Sequence, residues 1–213
     1  MNPFYRCMRA IVVPIAHLVF PCKFLHREKM PKNGRLIVCS NHISAIDPVY
    51  LGVALNRQLH FISKAELFKN KLLGWFLKKL GAFPVVRGTG DSEAKNTALE
   101  ILEEEKVLGI FPEGTRSHDG NLLRPKSGMM IFANKTHSPI FPAAIVTKNG
   151  KVRPFKKTVV SFGTPITPEE LGLTGSDSPA EMRNAARKVM EIIAELREEA
   201  LRQLSSTEKR QSV

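Results

Sequence analysis

The fold is decided by the stretch Cys39-Ser40-Asn41-His42-Ile43-Ser44-Ala45-Ile46-Asp47-Pro48. An apolar run at residues 35–40 leads into it and predicts a strand. Asp47-Pro48 is typical of a helix start, because aspartate caps helix N-termini and proline is tolerated in the first turn. The tight loop between strand and helix can fold the Asp47 carboxylate back onto one nitrogen of the His42 ring. The other ring nitrogen is then free to accept a proton.

Three later segments belong to further predicted strands: one is a strand with an arginine at its exit, one follows the apolar run at 107–111, and one begins a strand. They are Gly81-Ala82-Phe83-Pro84-Val85-Val86-Arg87, Phe111-Pro112-Glu113-Gly114-Thr115-Arg116 and the proline segment 139–144. Open α/β sheets bind ligands at the carboxyl ends of strands, so these segments are expected to meet the His42 loop there. A histidine near an aspartate is more often a capping or packing pair than a catalytic one. The combination of His42 with two arginines at strand ends, Arg87 and Arg116, points to a reactive site.

In this order, the four segments resemble the glycerolipid acyltransferases, and most closely the bacterial 1-acyl-sn-glycerol-3-phosphate acyltransferases. The shared blocks are Asn-His-x-Ser-x-x-Asp at 41–47, Gly-x-Phe-x-Val-x-Arg at 81–87, Phe-Pro-Glu-Gly-Thr-Arg at 111–116 and a proline block at 139–142. The resemblance implies transfer of a fatty acyl group from an acyl thioester, acyl-CoA or acyl carrier protein, to the sn-2 hydroxyl of lysophosphatidic acid. The implied product is phosphatidic acid, made for phospholipid biosynthesis.

The resemblance also implies a role for each block residue. His42 is the expected general base, and Asp47 is expected to orient its ring and stabilise the imidazolium. Arg87 and Arg116 are expected to bind the acceptor phosphate, because guanidinium groups match phosphate oxygens bidentately, with Lys126 as a further cation. The other expected substrate-binding residues are Asn41, Ser44, Glu113, Gly114 and Thr115. The sequence has no Gly-x-Ser-x-Gly elbow, so the acceptor hydroxyl is expected to attack directly, without a metal or bound cofactor.

The charge distribution is strongly uneven. The 213 residues include 32 Lys and Arg against 20 Asp and Glu, a net charge of +12, and residues 1–80 hold 13 basic and 3 acidic residues, or +10 of that total. A one-sided basic surface binds an extended polyanion, either nucleic acid or an anionic membrane leaflet. Only the charge favours a nucleic-acid-binding module, since no helix-turn-helix, aromatic RNA-binding block or zinc finger is recognisable. Within acyl transfer, another lysophospholipid or a glycerol phosphate is an alternative acceptor.

Residues 1–30 are expected to form a helical segment that lies in the membrane interface. Their longest apolar run, 10–20, is shorter than the roughly 20 residues needed to span a bilayer, and no signal-peptide cleavage site follows it. The residues expected to enter the membrane are Tyr5, Ile11, Val12, Ile15, Leu18 and Val19. A second basic amphipathic helix is predicted at 64–80, where lysine recurs every seven residues from Lys64 and the only Trp occurs. The alternative for the N-terminal segment is a first helix packed in the core. The alternative for 64–80 is an ordinary surface helix with a solvated lysine face.

Strand and helix patterns alternate along the rest of the chain and predict an α/β fold with a largely parallel mixed sheet flanked by helices. Further strands are predicted at 59–63 and 157–162, and further helices at 48–55, 91–106, 129–135 and 178–204. The predicted organisation is an N-terminal membrane-interface segment 1–30, an acyltransferase α/β domain 31–205 and a disordered tail 206–213.

The cysteine content indicates a reducing compartment. Cys7, Cys22 and Cys39 are odd in number and fit neither a disulfide framework nor a zinc site. Together with the basic N-terminal region, this predicts a peripheral or monotopic protein at the cytoplasmic face of the cell membrane. The sequence leaves open the acyl donor, the acyl-chain length and the oligomeric state.

Overall fold

The structure, a computed structural model, describes residues 1–86 and 92–209, with side chains as far as Ser206. Its helices are α1 (Pro3–Val19), α2 (Asp47–Ala54), α3 (Lys71–Leu80), α4 (Ser92–Glu103), α5 (Met130–Thr136) and α6 (Pro179–Lys209). Its strands are β1 (Cys22–Leu25), β2 (Leu36–Ser40), β3 (Leu59–Lys64), β4 (Phe83–Val85), β5 (Val107–Ile110), β6 (Ile140–Thr147) and β7 (Thr158–Phe162).

These strands form one sheet in the order β1-β7-β6-β2-β5-β3-β4. Neighbouring strands are parallel except β6 and β7, which are antiparallel. The predicted α/β fold with a largely parallel mixed sheet is therefore confirmed. Because β2 lies between β5 and β6 and runs parallel to both, the segments after these three strands leave the sheet at one edge, called the carboxyl edge below.

Strand β2 is buried on both faces. Ile37 and Cys39 belong to a core shared with α4, α5 and α6, whereas Leu36 and Val38 belong to a second core shared with α2. Alternate residues of a strand point to opposite faces, so the sheet has one helical layer on each side. This two-sided burial explains the continuous apolar run from which β2 was predictable.

Two predicted boundaries are wrong. Residues 22–25 do not belong to a helical segment but form β1, which joins the sheet through Cys22 opposite Thr158 of β7. The segment 1–30 therefore contributes a strand to the main domain. The prediction of a disordered tail at 206–213 is wrong for 206–209, because α6 continues to Lys209. The last four positions lie outside the described residues.

The helix predicted at 64–80 is also interrupted. Lys64 is the last residue of β3, and a 3-10 turn at Ala65–Phe68 separates it from α3. The side-chain oxygen of Asn70 accepts hydrogen bonds from two amides in the first turn of α3, both at 3.1 Å, and so caps the helix. An asparagine inside an otherwise amphipathic pattern was the signal for this break.

Helix α1 packs against α2 and α3 with one side. Arg9 donates hydrogen bonds to the carbonyl oxygens of Gly52 and Val53 at the end of α2, at 3.3 and 3.1 Å. Tyr5 is buried with its hydroxyl over Gly52, so the prediction that it enters a membrane is wrong. The exposed large apolar residues of α1 are Ile11, Ile15 and Leu18. Within 1–86 and 92–209, no helix has the length and apolar character needed to cross a bilayer.

Candidate active site

The loop between β2 and α2 brings His42 and Asp47 together, as the sequence predicts. His42 Nδ1 lies 2.8 Å from Asp47 Oδ2, and the same oxygen accepts hydrogen bonds from the amides of Ile43 and Ser44, both at 2.7 Å. Asp47 is completely buried and is the first residue of α2, so its negative charge lies at the positive end of a helix. Because Nδ1 carries the proton in this hydrogen bond, the neutral ring presents an unprotonated Nε2.

The main chain of His42 is held on both sides by the segment after β5. Its amide donates to Glu113 Oε1 at 3.1 Å, and its carbonyl oxygen accepts from the amide of Ser117 at 2.7 Å. On the other side, the buried Asn41 exchanges two hydrogen bonds with the main chain of Ile145 in β6, at 2.9 and 2.7 Å. The loop is therefore fixed to both strands that flank β2.

A row of aromatic rings covers one face of the imidazole. The His42 ring stacks on Phe111 with centroids 4.0 Å apart, and Phe111 stacks on Phe61 of β3 at 5.8 Å. Gly109 leaves room for this row, because a Cβ there would lie 2.2 Å from the Phe61 ring. The sequence did not predict these contacts, which depend on the strand order β2-β5-β3.

The exposed residues Thr115 and Arg116 lie at the carboxyl edge. Arg116 directly precedes Ser117, whose amide donates to the carbonyl oxygen of His42, so the main chain of Arg116 lies close to that of His42. The hydroxyl oxygen of Ser44 accepts a hydrogen bond from the amide of Ile46 at 3.2 Å, and its contact with a substrate stays a prediction. Arg87, the other predicted phosphate ligand, lies outside the described residues.

Gly114 allows a second cation to approach this turn. Its backbone is left-handed, with φ at 66°, and its amide donates to the carbonyl oxygen of Phe111 at 3.0 Å. A Cβ on Gly114 would lie 2.9 Å from Cε of Lys126, so the lysine side chain lies across the glycine. The structure thus brings Lys126 to the Phe-Pro-Glu-Gly-Thr-Arg turn, and its contact with the acceptor phosphate stays a prediction. No metal-binding group of three or more His, Cys, Asp or Glu side chains occurs in the part of the chain that the structure describes.

A protein-family profile described as Acyltransferase matches residues 22–146, which include the His42 loop and the 111–116 turn and make up more than half of the chain. The chain belongs to the acyltransferase family. The resemblance found in the four sequence blocks is therefore confirmed.

Individual members of the acyltransferase family support this assignment. A 1-acyl-sn-glycerol-3-phosphate acyltransferase of Bacillus subtilis (strain 168) is 35% identical over 71% of this chain and 75% of its own length. A lyso-ornithine lipid O-acyltransferase of Pseudomonas aeruginosa is 36% identical over 50% of this chain and 41% of its own length. The crystal structure of the 1-acyl-sn-glycerophosphate (LPA) acyltransferase PlsC from Thermotoga maritima matches with a TM-score of 0.70 at 24% identity, covering 92% of this chain and 81% of that one. This structural likeness shows the fold.

Glu113 is a second buried carboxylate of this acyltransferase site. Burial raises its pKa to about 7, against the lowering effect of the amide hydrogen bonds from His42 and Leu123, and the charge of Asp47 adds to the rise. At neutral pH the side chain is therefore divided between its ionised and protonated forms. Both of its oxygens accept from main-chain amides, so Glu113 supports the His42 loop. Its contact with a substrate stays a prediction.

Glu113 should make the stability of the chain depend on pH. Its pKa rises from an ordinary value of 4.5 to about 7 on folding, so the folded chain binds more protons between these pH values. The free energy of unfolding should therefore fall as the pH rises through this window, by up to ~3 kcal/mol. Glu113→Gln cannot ionise and should remove the slope in urea unfolding at several pH values. The exposed Glu103→Gln serves as a control that keeps the slope, and a full slope in Glu113→Gln would contradict the assignment.

Proposed function

We propose that this acyltransferase family member transfers a fatty acyl group from an acyl thioester to the sn-2 hydroxyl of lysophosphatidic acid, giving phosphatidic acid. The observation that carries the proposal is the 2.8 Å hydrogen bond between His42 and Asp47, which leaves Nε2 unprotonated at the carboxyl edge. The exposed Arg116 on the adjoining segment supplies a phosphate ligand. The name of the Bacillus subtilis relative supports the same acceptor.

In the proposed reaction His42 acts as general base. Its Nε2 takes the proton of the acceptor hydroxyl while the hydroxyl oxygen attacks the thioester carbonyl carbon. As the tetrahedral intermediate collapses, the C–S bond breaks and the imidazolium returns the proton to the leaving thiolate. Asp47 stabilises the imidazolium between these steps through a contact that exists before substrate binds. The thioester, acyl-CoA or acyl carrier protein, is the co-substrate, and the route uses no metal, bound cofactor or acyl-enzyme.

An acceptor series tests this proposal. Lyso-ornithine lipid is the second candidate acceptor, because the Pseudomonas aeruginosa relative is named for it. The purified chain is given a labelled acyl thioester with lysophosphatidic acid, lyso-ornithine lipid or a monoacylglycerol, and the lipid products are separated. We expect phosphatidic acid to dominate, since only lysophosphatidic acid carries a phosphate for the arginines. Acylation mainly of lyso-ornithine lipid would overturn the acceptor, and transfer to none of the three would overturn the function.

Removing the proposed phosphate ligand should affect the acceptor more than the donor. Arg116→Ala is expected to raise the KM for lysophosphatidic acid by about 10–100-fold, because a charge-assisted hydrogen bond contributes about 1.5–3 kcal/mol. Arg116→Lys should restore only part, since an ammonium cannot reproduce the bidentate fork. Arg87→Ala should behave like Arg116→Ala, and the exposed Arg183→Ala on α6 is the matched control. An unchanged lysolipid KM and kcat in both variants would refute the phosphate assignment.

The proposed enzyme works as a peripheral or monotopic protein on an anionic leaflet, at the cytoplasmic face where both candidate donors are made. Three exposed apolar residues lie four and three positions apart on one side of α1: Ile11, Ile15 and Leu18. Leu72 and Trp75 of α3 are exposed too, and Trp75 contacts Phe4 of α1 edge-on at 5.5 Å, so the two helices adjoin. These residues form the α1–α3 surface. Apolar insertion together with the basic N-terminal region supports interfacial binding.

The double variant Ile15→Gln/Leu18→Gln tests the α1–α3 surface without disturbing the core, because both side chains are exposed. Its affinity for anionic vesicles should fall by about tenfold or more, from lost apolar burial. Activity on lysolipid in vesicles should fall with it, whereas activity on a short-chain lysolipid in detergent should stay. Glu195→Gln on α6 is the control. Equal loss on both substrates would show that α1 has only a structural role.

A further inference from the structure

The ten residues between β6 and β7, 148–157, form a strongly basic loop, called the basic hairpin below. Its cations are Lys148, Lys151, Arg153, Lys156 and Lys157, and it contains no Asp or Glu. All of these side chains are exposed except Lys157, which is partly buried. The basic hairpin is far along the chain from residues 1–80, which carry most of the net positive charge. It is therefore a separate basic element.

Phe155 lies in the basic hairpin and is 71% exposed. Its backbone is left-handed, with φ at 60°, a conformation that is costly for a bulky residue. The neighbouring Val152, in contrast, packs against the core that includes α2. The hairpin is therefore anchored by Val152 and presents a large aromatic ring to the surroundings between exposed cations.

The basic hairpin contacts the end of α1. The amide of Phe155 donates to the carbonyl oxygen of Val19 at 2.6 Å, and the amide of Thr158 donates to that of Pro21 at 2.9 Å. Leu18, the residue before this contact, is 75% exposed. The tip of the hairpin and the last turn of α1 thus present an aromatic and an aliphatic side chain from backbones that are hydrogen-bonded to each other.

The basic hairpin also begins beside the candidate base. Strand β6 runs parallel to β2, so its last residue, Thr147, lies at the carboxyl edge. A cleft of about 300 Å³ at the base of the hairpin is lined by Thr147, Lys148 and Gly150 together with Ile43, the residue after His42. A surface that binds the hairpin is therefore brought close to the loop that carries out the proposed reaction.

We propose that the basic hairpin is a second membrane-binding element, which inserts Phe155 into an anionic lipid leaflet and aligns the carboxyl edge with the lipid acceptor. The proposal rests on the proposed function, since it explains how a membrane-resident lysolipid reaches His42. Charge complementarity selects an anionic leaflet, because a loop with basic residues and no acidic ones attracts anionic headgroups. Phe155 and Leu18 are both exposed, on segments joined by the Phe155–Val19 hydrogen bond, and they select an occupant with an apolar interior, which a leaflet has.

Two hairpin variants separate the aromatic and the electrostatic contributions. Phe155→Asn removes the ring but tolerates the left-handed backbone, and its vesicle affinity should fall by about tenfold, whereas Phe155→Trp should keep it. Lys151→Gln/Arg153→Gln should weaken binding to vesicles of equal parts phosphatidylglycerol and phosphatidylcholine by roughly 25-fold, at about fivefold for each cation. The control with the same charge change is Arg183→Gln/Arg187→Gln on the exposed side of α6, in the opposite helical layer.

The measurements are vesicle sedimentation and acyl transfer to a short-chain lysophosphatidic acid in detergent. We expect the hairpin variants to lose vesicle binding and to keep transfer in detergent. The control pair should match the unmodified chain in both measurements. Binding equal to the unmodified chain would overturn the hairpin proposal and leave the proposed function standing. Loss of transfer from acyl carrier protein in detergent, with vesicle binding kept, would make the hairpin a contact for that carrier protein and overturn the proposal. Absence of transfer by the unmodified chain would overturn the proposed function alone.

Discussion

His42→Ala is expected to lower kcat for acyl transfer by about 10²–10⁴-fold, the range that a positioned general base contributes. The imidazole acts on a proton that moves only in the transition state, so the KM values for both substrates should change little. The fold should persist, because the loop is held by contacts of the His42 main chain to Glu113 and Ser117, which alanine retains. Steady-state kinetics in detergent at saturating donor measure the loss.

The control for this variant is His137→Asn, which changes an exposed histidine and keeps a residue that tolerates its left-handed backbone. Its kcat should match that of the unmodified chain. Near-normal turnover by a folded His42→Ala chain would remove the proposed base and with it the mechanism.

Asp47→Asn is expected to lower kcat by up to about 10⁴-fold, the loss associated with the aspartate of the serine-protease triad. All three donors at this site converge on Asp47 Oδ2, so an asparagine oxygen at that position can keep the hydrogen bonds to His42 and to two loop amides. The negative charge that stabilises the imidazolium is lost. The amide nitrogen would occupy the place of Oδ1, which is buried without a partner among the described residues. This unsatisfied buried amide should lower the free energy of unfolding by about 1–3 kcal/mol.

Asp47→Ala separates charge from loop geometry. It removes the acceptor of the Ile43 and Ser44 amides as well as the charge, so it should lose more stability than Asp47→Asn at a similar cost in kcat. Urea unfolding and kinetics of the two variants make the comparison. A kcat close to normal in either folded variant would show that Asp47 has a purely structural role.

The central part of the fold was predictable because its signals are local. Strand β2 is buried on both faces and reads as a continuous apolar run, and Asp47-Pro48 marks the start of α2. The five-residue separation of His42 and Asp47 is short enough for one loop to close, so their pairing could be predicted from the same stretch. Alternating strand and helix patterns then gave the sheet type, which the parallel pairs around β2 confirm.

The remaining contacts depend on residues that are distant in the chain. Strand β1 has only four residues and pairs with β7, so no local pattern distinguishes it from the end of a helix. The stacking of Phe61, Phe111 and His42 requires the strand order, which the sequence does not reveal. The motif suggested that Glu113 binds substrate, but its hydrogen bonds to the His42 and Leu123 amides appear only in three dimensions.

The central claim is that His42 activates the hydroxyl of lysophosphatidic acid for direct attack on the thioester. The most direct test mixes labelled acyl thioester and lysophosphatidic acid with the purified unmodified chain or with His42→Ala, and follows label in phosphatidic acid and on the protein. The unmodified chain should place the label at the sn-2 position of phosphatidic acid, and His42→Ala should form product at the background rate. When the acceptor is left out, neither protein should become labelled. Equal product from both chains, or label on the protein before acceptor is added, would contradict the claim.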